Sequence, residues 1–293
     1  MDRAGAAARR RGPGPNRTVA APGRTGRPSA AVPDDDTLPS DVVDELAGAV
    51  GRSRAQTLAR RMAAAARAYE RDRYLEAMRI TRVLADEVPE SAAARELHGL
   101  VCYRSGRWRD AVKHLQAARS LTADDPSQIP VLMDCERAMG HRRRVEALWE
   151  ELRSSSPPAD VLVEGRLVLA ADLAERGRLE EAITLLATAG GARNLRRPGD
   201  RHIRQWYVLA DLYERAGDVP RARELFARVV TFDPEVADAA DRLAALGRGS
   251  RRHGPSRKPP RAGATGRKAP EKAGPERSGP RPTGGGKATG TAR

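Results

Sequence analysis

The chain has 293 residues, two cysteines and a formal net charge of +14. Two cysteines, Cys102 and Cys135, are too few for a disulfide scaffold and lack metal-ligand spacing, so both read as buried small residues. No apolar run approaches the ~18–20 residues of a membrane span. The basic start MDRAGAAARRRGPGPNR has no apolar stretch behind it; no secretory signal is expected and the cytoplasm is the expected compartment.

Residues 1–40 hold seven Arg, four Asp and a single Leu among Ala, Gly and Pro. Such a segment cannot bury enough apolar surface to offset the entropy of ordering it, and reads as a disordered tail. The folded part is expected at 41–247. SDVVDELAGAV (40–50) reads as a short amphipathic helix closing its N-terminal end. Ser53 with Gln56 has the spacing of a capping box opening the first long helix.

A repeat follows, over about 58–236. The small residue in the second helix of each unit recurs at Ala77, Ala111, Val145, Ala182 and Ala222, in steps of 34, 34, 37 and 40. Glycines between the two helices, Gly106, Gly140, Gly177 and Gly217, repeat the last three steps, and Asp72 holds the place in the first unit. In the last unit Trp206, Leu209, Ala210 and Tyr213 share one helical face, Gly217 stops the helix, and Pro220 sits where the next begins. Ala222, Leu225, Phe226 and Val229 mark the face of that second helix. A hairpin of helices leaves two apolar faces open, so such units stack. The longer steps hold insertions at 153–160 and 190–200, the second carrying Arg193, Arg196 and Arg197. It reads as a solvated loop or as a specificity element beside a groove.

Asp233-Pro234 offers an N-cap for one more helix, EVADAADRLAALG, which caps the array and ends at Gly247. Residues 248–293 hold thirteen Lys/Arg, two Glu and ten Gly, with no aromatic, Leu, Ile or Val, and read as a second, basic disordered tail. The two tails carry +3 and +11 of the net charge, which leaves the middle neutral.

Catalytic patterns are missing. The five histidines, His98, His114, His141, His202 and His253, are scattered, and none is read at ligand spacing from a Cys or carboxylate. There is no G-x-S-x-G, no HExxH and no phosphate loop. No enzyme activity, metal or cofactor is expected.

Trp206, Leu209-Ala210, Tyr213, Ala222, Phe226 and Pro234 reproduce the tetratricopeptide pattern, with Ala210 where the family has Gly. The chain resembles a tetratricopeptide repeat protein of five units, and its Ala, Arg and Gly usage is of an actinobacterial type. The resemblance implies an all-α, right-handed solenoid of helical hairpins, with two repeat helices per unit and a helix at each end. It also implies a non-enzymatic interaction scaffold that holds a protein or peptide segment in a concave groove. Mapping the family's inner face onto this register gives Tyr69, Tyr103, Arg104, Asp134, Arg137, Tyr207, Asp211 and Glu214. The carboxylate clamp of some relatives is absent, because its places hold Met62, Ala66, Glu96, Leu100, Pro130 and Asp134. An alternative reading is a nucleic-acid- or ribosome-associated protein whose basic tails contact phosphates, although neither tail interleaves aromatics for base stacking.

The C-terminal tail generates the first prediction. A polycation of this composition binds polyanions weakly and without sequence preference. With about six phosphates engaged, log K on duplex DNA falls with log salt at a slope near −5, roughly a thousandfold between about 50 and 200 mM. A salt titration with and without residues 248–293 checks it: the truncated chain should lose this binding.

Overall fold

The computed structural model describes residues 38–251. Expectations for 1–37 and 252–293, disorder included, lie outside the described residues. Within 38–251 the chain is all-α, a solenoid of twelve α-helices with no strand among the described residues. They are α1 (Ser40–Val50), α2 (Arg52–Glu70), α3 (Tyr74–Glu87), α4 (Ala92–Arg104), α5 (Trp108–Leu121) and α6 (Ile129–Ala138). Then come α7 (Arg142–Ser154), α8 (Ala159–Glu175), α9 (Leu179–Leu186), α10 (Asp200–Arg215), α11 (Val219–Phe232) and α12 (Ala239–Arg251). Five hairpins, α2–α3 through α10–α11, carry the repeat, and α1 and α12 flank them. Helices pack against their sequence neighbours and, along one side, against the next but one, as α6 does with α8 and α8 with α10. This nearest-neighbour connectivity is that of a solenoid.

Both sequence rulers have a physical origin. Ala77, Ala111, Val145, Ala182 and Ala222 are fully buried where the two helices of each hairpin meet. Gly106, Gly140, Gly177 and Gly217 all have φ between +71° and +80°, and Asp72 takes the same left-handed conformation at +59°. The inter-helix turn therefore demands a positive φ in every unit, and the first unit meets it with Asp, one of the few side chains that tolerate it. Gly99 answers a different demand. A Cβ there would stand 2.7 Å from Cγ of Leu115, so α4 and α5 approach through the missing side chain.

The core runs through the stack. Trp206, Phe226, Leu209, Leu186, Leu152 and Met133 are among the side chains of its largest cluster, which reaches from α6 to Ala239 of α12. A second cluster joins α1 to the first hairpin through Leu46, Leu58, Met62 and Leu84, which gives the short N-terminal helix its purpose.

Three local expectations are corrected. Ser53 does not cap α2: Gly51, at φ +79°, separates α1 from α2, the helix starts at Arg52, and no side chain caps it. A glycine in that conformation turns the chain without a cap. Asp233-Pro234 does not start α12. The Asp233 carboxylate accepts from the Glu235 N–H in a turn, and the helix begins at Ala239. Gly247 does not end α12, which continues to Arg251, because its backbone does not take the left-handed conformation that the turn glycines adopt. By contrast, Asp218 caps α11 as its position allows, accepting from the Arg221 N–H at 3.2 Å with Pro220 in the first turn.

The turn glycines yield a sharp test. A Cβ at Gly140 or Gly217 meets nothing within 4 Å, so alanine there carries only the conformational cost. Gly140→Ala and Gly217→Ala should each lose about 1 kcal/mol, and Asp72→Gly, which relieves the backbone but forfeits the Arg104 ion pair, should change stability by less than that. Phe226→Ala empties a fully buried site and should cost about 3–5 kcal/mol. Urea denaturation followed by circular dichroism reads all four.

Candidate functional site: the inner helix face

The eight residues expected on the inner face lie on the first helices of four of the five hairpins, α2, α4, α6 and α10. The structure gathers them into three polar clusters, each bridging neighbouring repeats.

In the first, Arg104 of α4 reaches Asp72 in the preceding turn at 3.2 Å and lies over the Tyr74 ring, 5.0 Å from its centroid. Tyr69 packs edge-on against Tyr74 at 5.8 Å. Burial, the largest effect, raises the Tyr69 pKa and outweighs the Arg104 charge.

In the second, Tyr103 donates its hydroxyl to Oδ2 of Asp134 at 2.6 Å. Asp134 accepts from Nε of Arg137 at 2.9 Å, and Arg137 reaches on to Glu175 at the end of α8. Three successive repeats are linked in one line. Tyr103, Asp134 and Arg137 are only 5%, 7% and 8% exposed, so they sit beneath the open surface and meet each other. Burial is the main reason the Tyr103 hydroxyl is held far above its usual pKa, with the Asp134 carboxylate adding to it. Burial works against the Arg137 charge, but Asp134 and Glu175 outweigh it and raise its pKa.

The third cluster centres on Arg242 of α12. Its guanidinium donates to Asp211 at 2.8 Å, to Glu214 through Nε at 2.8 Å, and to the Tyr207 hydroxyl at 3.5 Å. Its plane lies over the Phe226 ring, 4.6 Å from the centroid. Tyr207 donates to Oδ1 of Asp238 at 2.6 Å. Burial, with the Asp238 bond, pushes the Tyr207 pKa up to about 12. Burial alone would lower the Arg242 pKa; its hydrogen bonds to Asp211, Glu214 and Tyr207 raise it instead. Tyr207, Asp211 and Glu214 remain half-buried.

Further rungs join the same face: Gln128 to Glu96, and Arg204 of α10 to Glu164 of α8. Burial raises the pKa of both Glu96 and Glu164, in the latter against the pull of Arg204. The sequence reading named the eight residues but missed their partners Arg242, Asp238 and Glu175, and the further rungs Arg204–Glu164 and Gln128–Glu96. A signal exists: Tyr103–Asp134, Tyr207–Asp238 and Asp211–Arg242 are each 31 residues apart. Three residues short of the period, that spacing sets one repeat's helix against the next one's at nearly the same height.

The 190–200 insertion is anchored elsewhere. The Trp206 indole donates to the Arg193 carbonyl at 3.2 Å, and Arg228 of α11 donates to the Ala192 carbonyl at 2.8 Å, while Arg193, Arg196 and Arg197 stay exposed. Among the described residues, no group of three or more His, Cys, Asp or Glu side chains could hold a metal ion, and no helix is long and apolar enough to cross a membrane.

Comparison with known proteins agrees with this architecture. The tetratricopeptide repeat family matches residues 203–246, the hairpin of α10 and α11 and the start of α12. Repeats of this family generally mediate contacts between proteins, and their fold is typically non-catalytic. No curated protein matches the chain. Among solved structures, a monomeric mutant of IFIT1 with m7Gppp-AAAA is similar at 15% identity and a TM-score of 0.46, covering 61% of this chain and 44% of that one. The chain thus spans less than half the length of that neighbour.

The clusters predict unequal costs. Tyr103→Phe strands the Asp134 carboxylate beside one fewer donor in a buried place and should cost about 1–3 kcal/mol. Tyr207→Phe, at a half-exposed rung, should cost less than Tyr103→Phe. Thermal unfolding monitored by circular dichroism ranks the pair; equal losses would contradict the burial difference.

Proposed function

Because the chain is built of tetratricopeptide-type repeats, we propose that it is a non-enzymatic scaffold that holds a segment of a partner protein along the inner helix face. The carrying observation is the third cluster. Tyr207, Asp211 and Glu214 are half-buried, held rigid by Arg242, and set a tyrosine beside both charge signs on one surface. Tyrosine gives contact area at small entropic cost, and fixed charges give direction to a bound peptide. Tyr69 and Arg104 extend the same surface at the N-terminal end. Tyr103, Asp134 and Arg137 are its floor: they hold the repeats in register and contribute shape.

A photo-crosslinking residue placed at Glu214 in the full chain should trap a protein partner, and the same residue at the exposed Arg223 of α11 should not. Asp211→Arg with Glu214→Arg should reduce that capture at least tenfold while helix content stays unchanged. Undiminished capture in a folded double variant would refute the inner-face assignment. Capture lost only on deletion of 248–293 would move the interaction to the basic tail.

A further inference from the structure

Outside the inner face, one group of side chains has the chemistry of soft-metal ligands. Met78 and Thr81 come from α3, His98 and Cys102 from α4, and His114 from α5. His98 and Cys102 are four residues apart, one helical turn, so their side chains rise on one face. This pairing is a ligand spacing that the scattered-histidine reading overlooked.

The distances are specific. Nε2 of His98 lies 3.7 Å from Sγ of Cys102, and Sγ of Cys102 lies 4.0 Å from Sδ of Met78. For an ion with nitrogen at about 2.0 Å and sulfur at about 2.3 Å in a trigonal plane, the nitrogen–sulfur and sulfur–sulfur separations are about 3.7 and 4.0 Å. The two edges that meet at the Cys102 sulfur match those of such a triangle. The other ring nitrogen, Nδ1 of His98, is 2.9 Å from the Thr81 hydroxyl oxygen. With Nδ1–H donating to that oxygen, Nε2 keeps its lone pair on the side of the Cys102 sulfur, the arrangement that outer partners impose on metal-binding histidines.

A bound cation deprotonates a coordinating thiol outright. The His114 ring covers His98 edge-on at 4.5 Å, and its Nδ1 is buried without a hydrogen-bond partner. Met78 and His114 are half-buried, giving an ion a route to the buried His98 and Cys102.

We propose that His98, Cys102 and Met78 form a three-coordinate site for a soft monovalent cation, Cu(I) in chemical class. Thiolate, thioether and imidazole together select Cu(I) over harder divalent ions, and three ligands suit it where structural zinc takes four. The site lies inside the first two hairpins and binds their facing helices together.

The test supplies Cu(I) alone to the reduced full chain under anaerobic conditions, against a chromophoric Cu(I) chelator. The expected result is one competed equivalent per chain, with X-ray absorption showing one nitrogen at about 2.0 Å and two sulfurs at about 2.3 Å. Met78→Leu conserves core volume and should leave one sulfur and weaken binding. Thr81→Val should weaken binding about 10–100-fold, as loss of an outer partner does. Cys102→Ser should abolish the site, and Cys135→Ser should leave it intact. Failure to hold Cu(I) against the chelator overturns the proposal. So does binding that survives Met78→Leu with its two sulfurs, or that Cys135→Ser removes. Circular dichroism on each variant separates ligand loss from unfolding; should Cys102→Ser unfold, Met78→Leu and Thr81→Val decide.

Discussion

The structure depends on how closely the two helices of each hairpin approach. Five small side chains, Ala77, Ala111, Val145, Ala182 and Ala222, stand at the five crossings, and each is fully buried. Wherever the crossing is tight, the larger residues of a repeat are displaced into the space between hairpins. Trp206, Phe226 and Leu209 join the cluster that runs on through the neighbouring hairpins, and where a large residue stays at the crossing, as Leu115 does, Gly99 makes room for it. Buried apolar area then accrues between neighbours along the chain, and each hairpin needs the next.

Polar chemistry follows the same geometry. The first helices of successive hairpins lie side by side, so a side chain at a given height finds its partner one repeat away. Tyr103 finds Asp134, Arg137 finds Glu175, Arg204 finds Glu164, and Arg242 finds Asp211 and Glu214. A chain whose folded middle carries no net charge is what such pairing produces. Individually exposed pairs of this kind contribute little. The buried line through Asp134 matters more, because removing one member strands another away from water.

Most of the architecture was legible because two independent features recur at one period. A small residue is demanded by helix approach and a positive φ by the turn, and their agreement fixed the register of all five units, Asp72 included. Signals without a repeat were less reliable. Ser53 had the spacing of a cap, yet Gly51 already turned the chain. Asp233-Pro234 resembled a helix start, but the Asp233 side chain closes a local turn instead. Gly247 resembled a stop, but its backbone is not left-handed and α12 passes through it. The eight candidate positions were readable as first-helix positions, but their bonds were not, since pairing depends on the offset between repeats. The neighbourhood of Cys102 needed three helices placed in space, because Met78 joins His98 and Cys102 only when α3 lies against α4.

A stack of like units has no intrinsic reason to stop; it is an open polymer whose last member presents the surface on which another would grow. Here α12 occupies that surface, and Arg242 fastens it by gripping two carboxylates and the Phe226 ring at once. The helix is thus a chain terminator in the sense used for fibres. A chain cut before Ala239 would bare the apolar face of its final hairpin, while α1 still covers the leading one, so only the trailing end would be left open. Arg242 thereby works with Ala239, Leu243 and Leu246 of the same helix to keep that end closed.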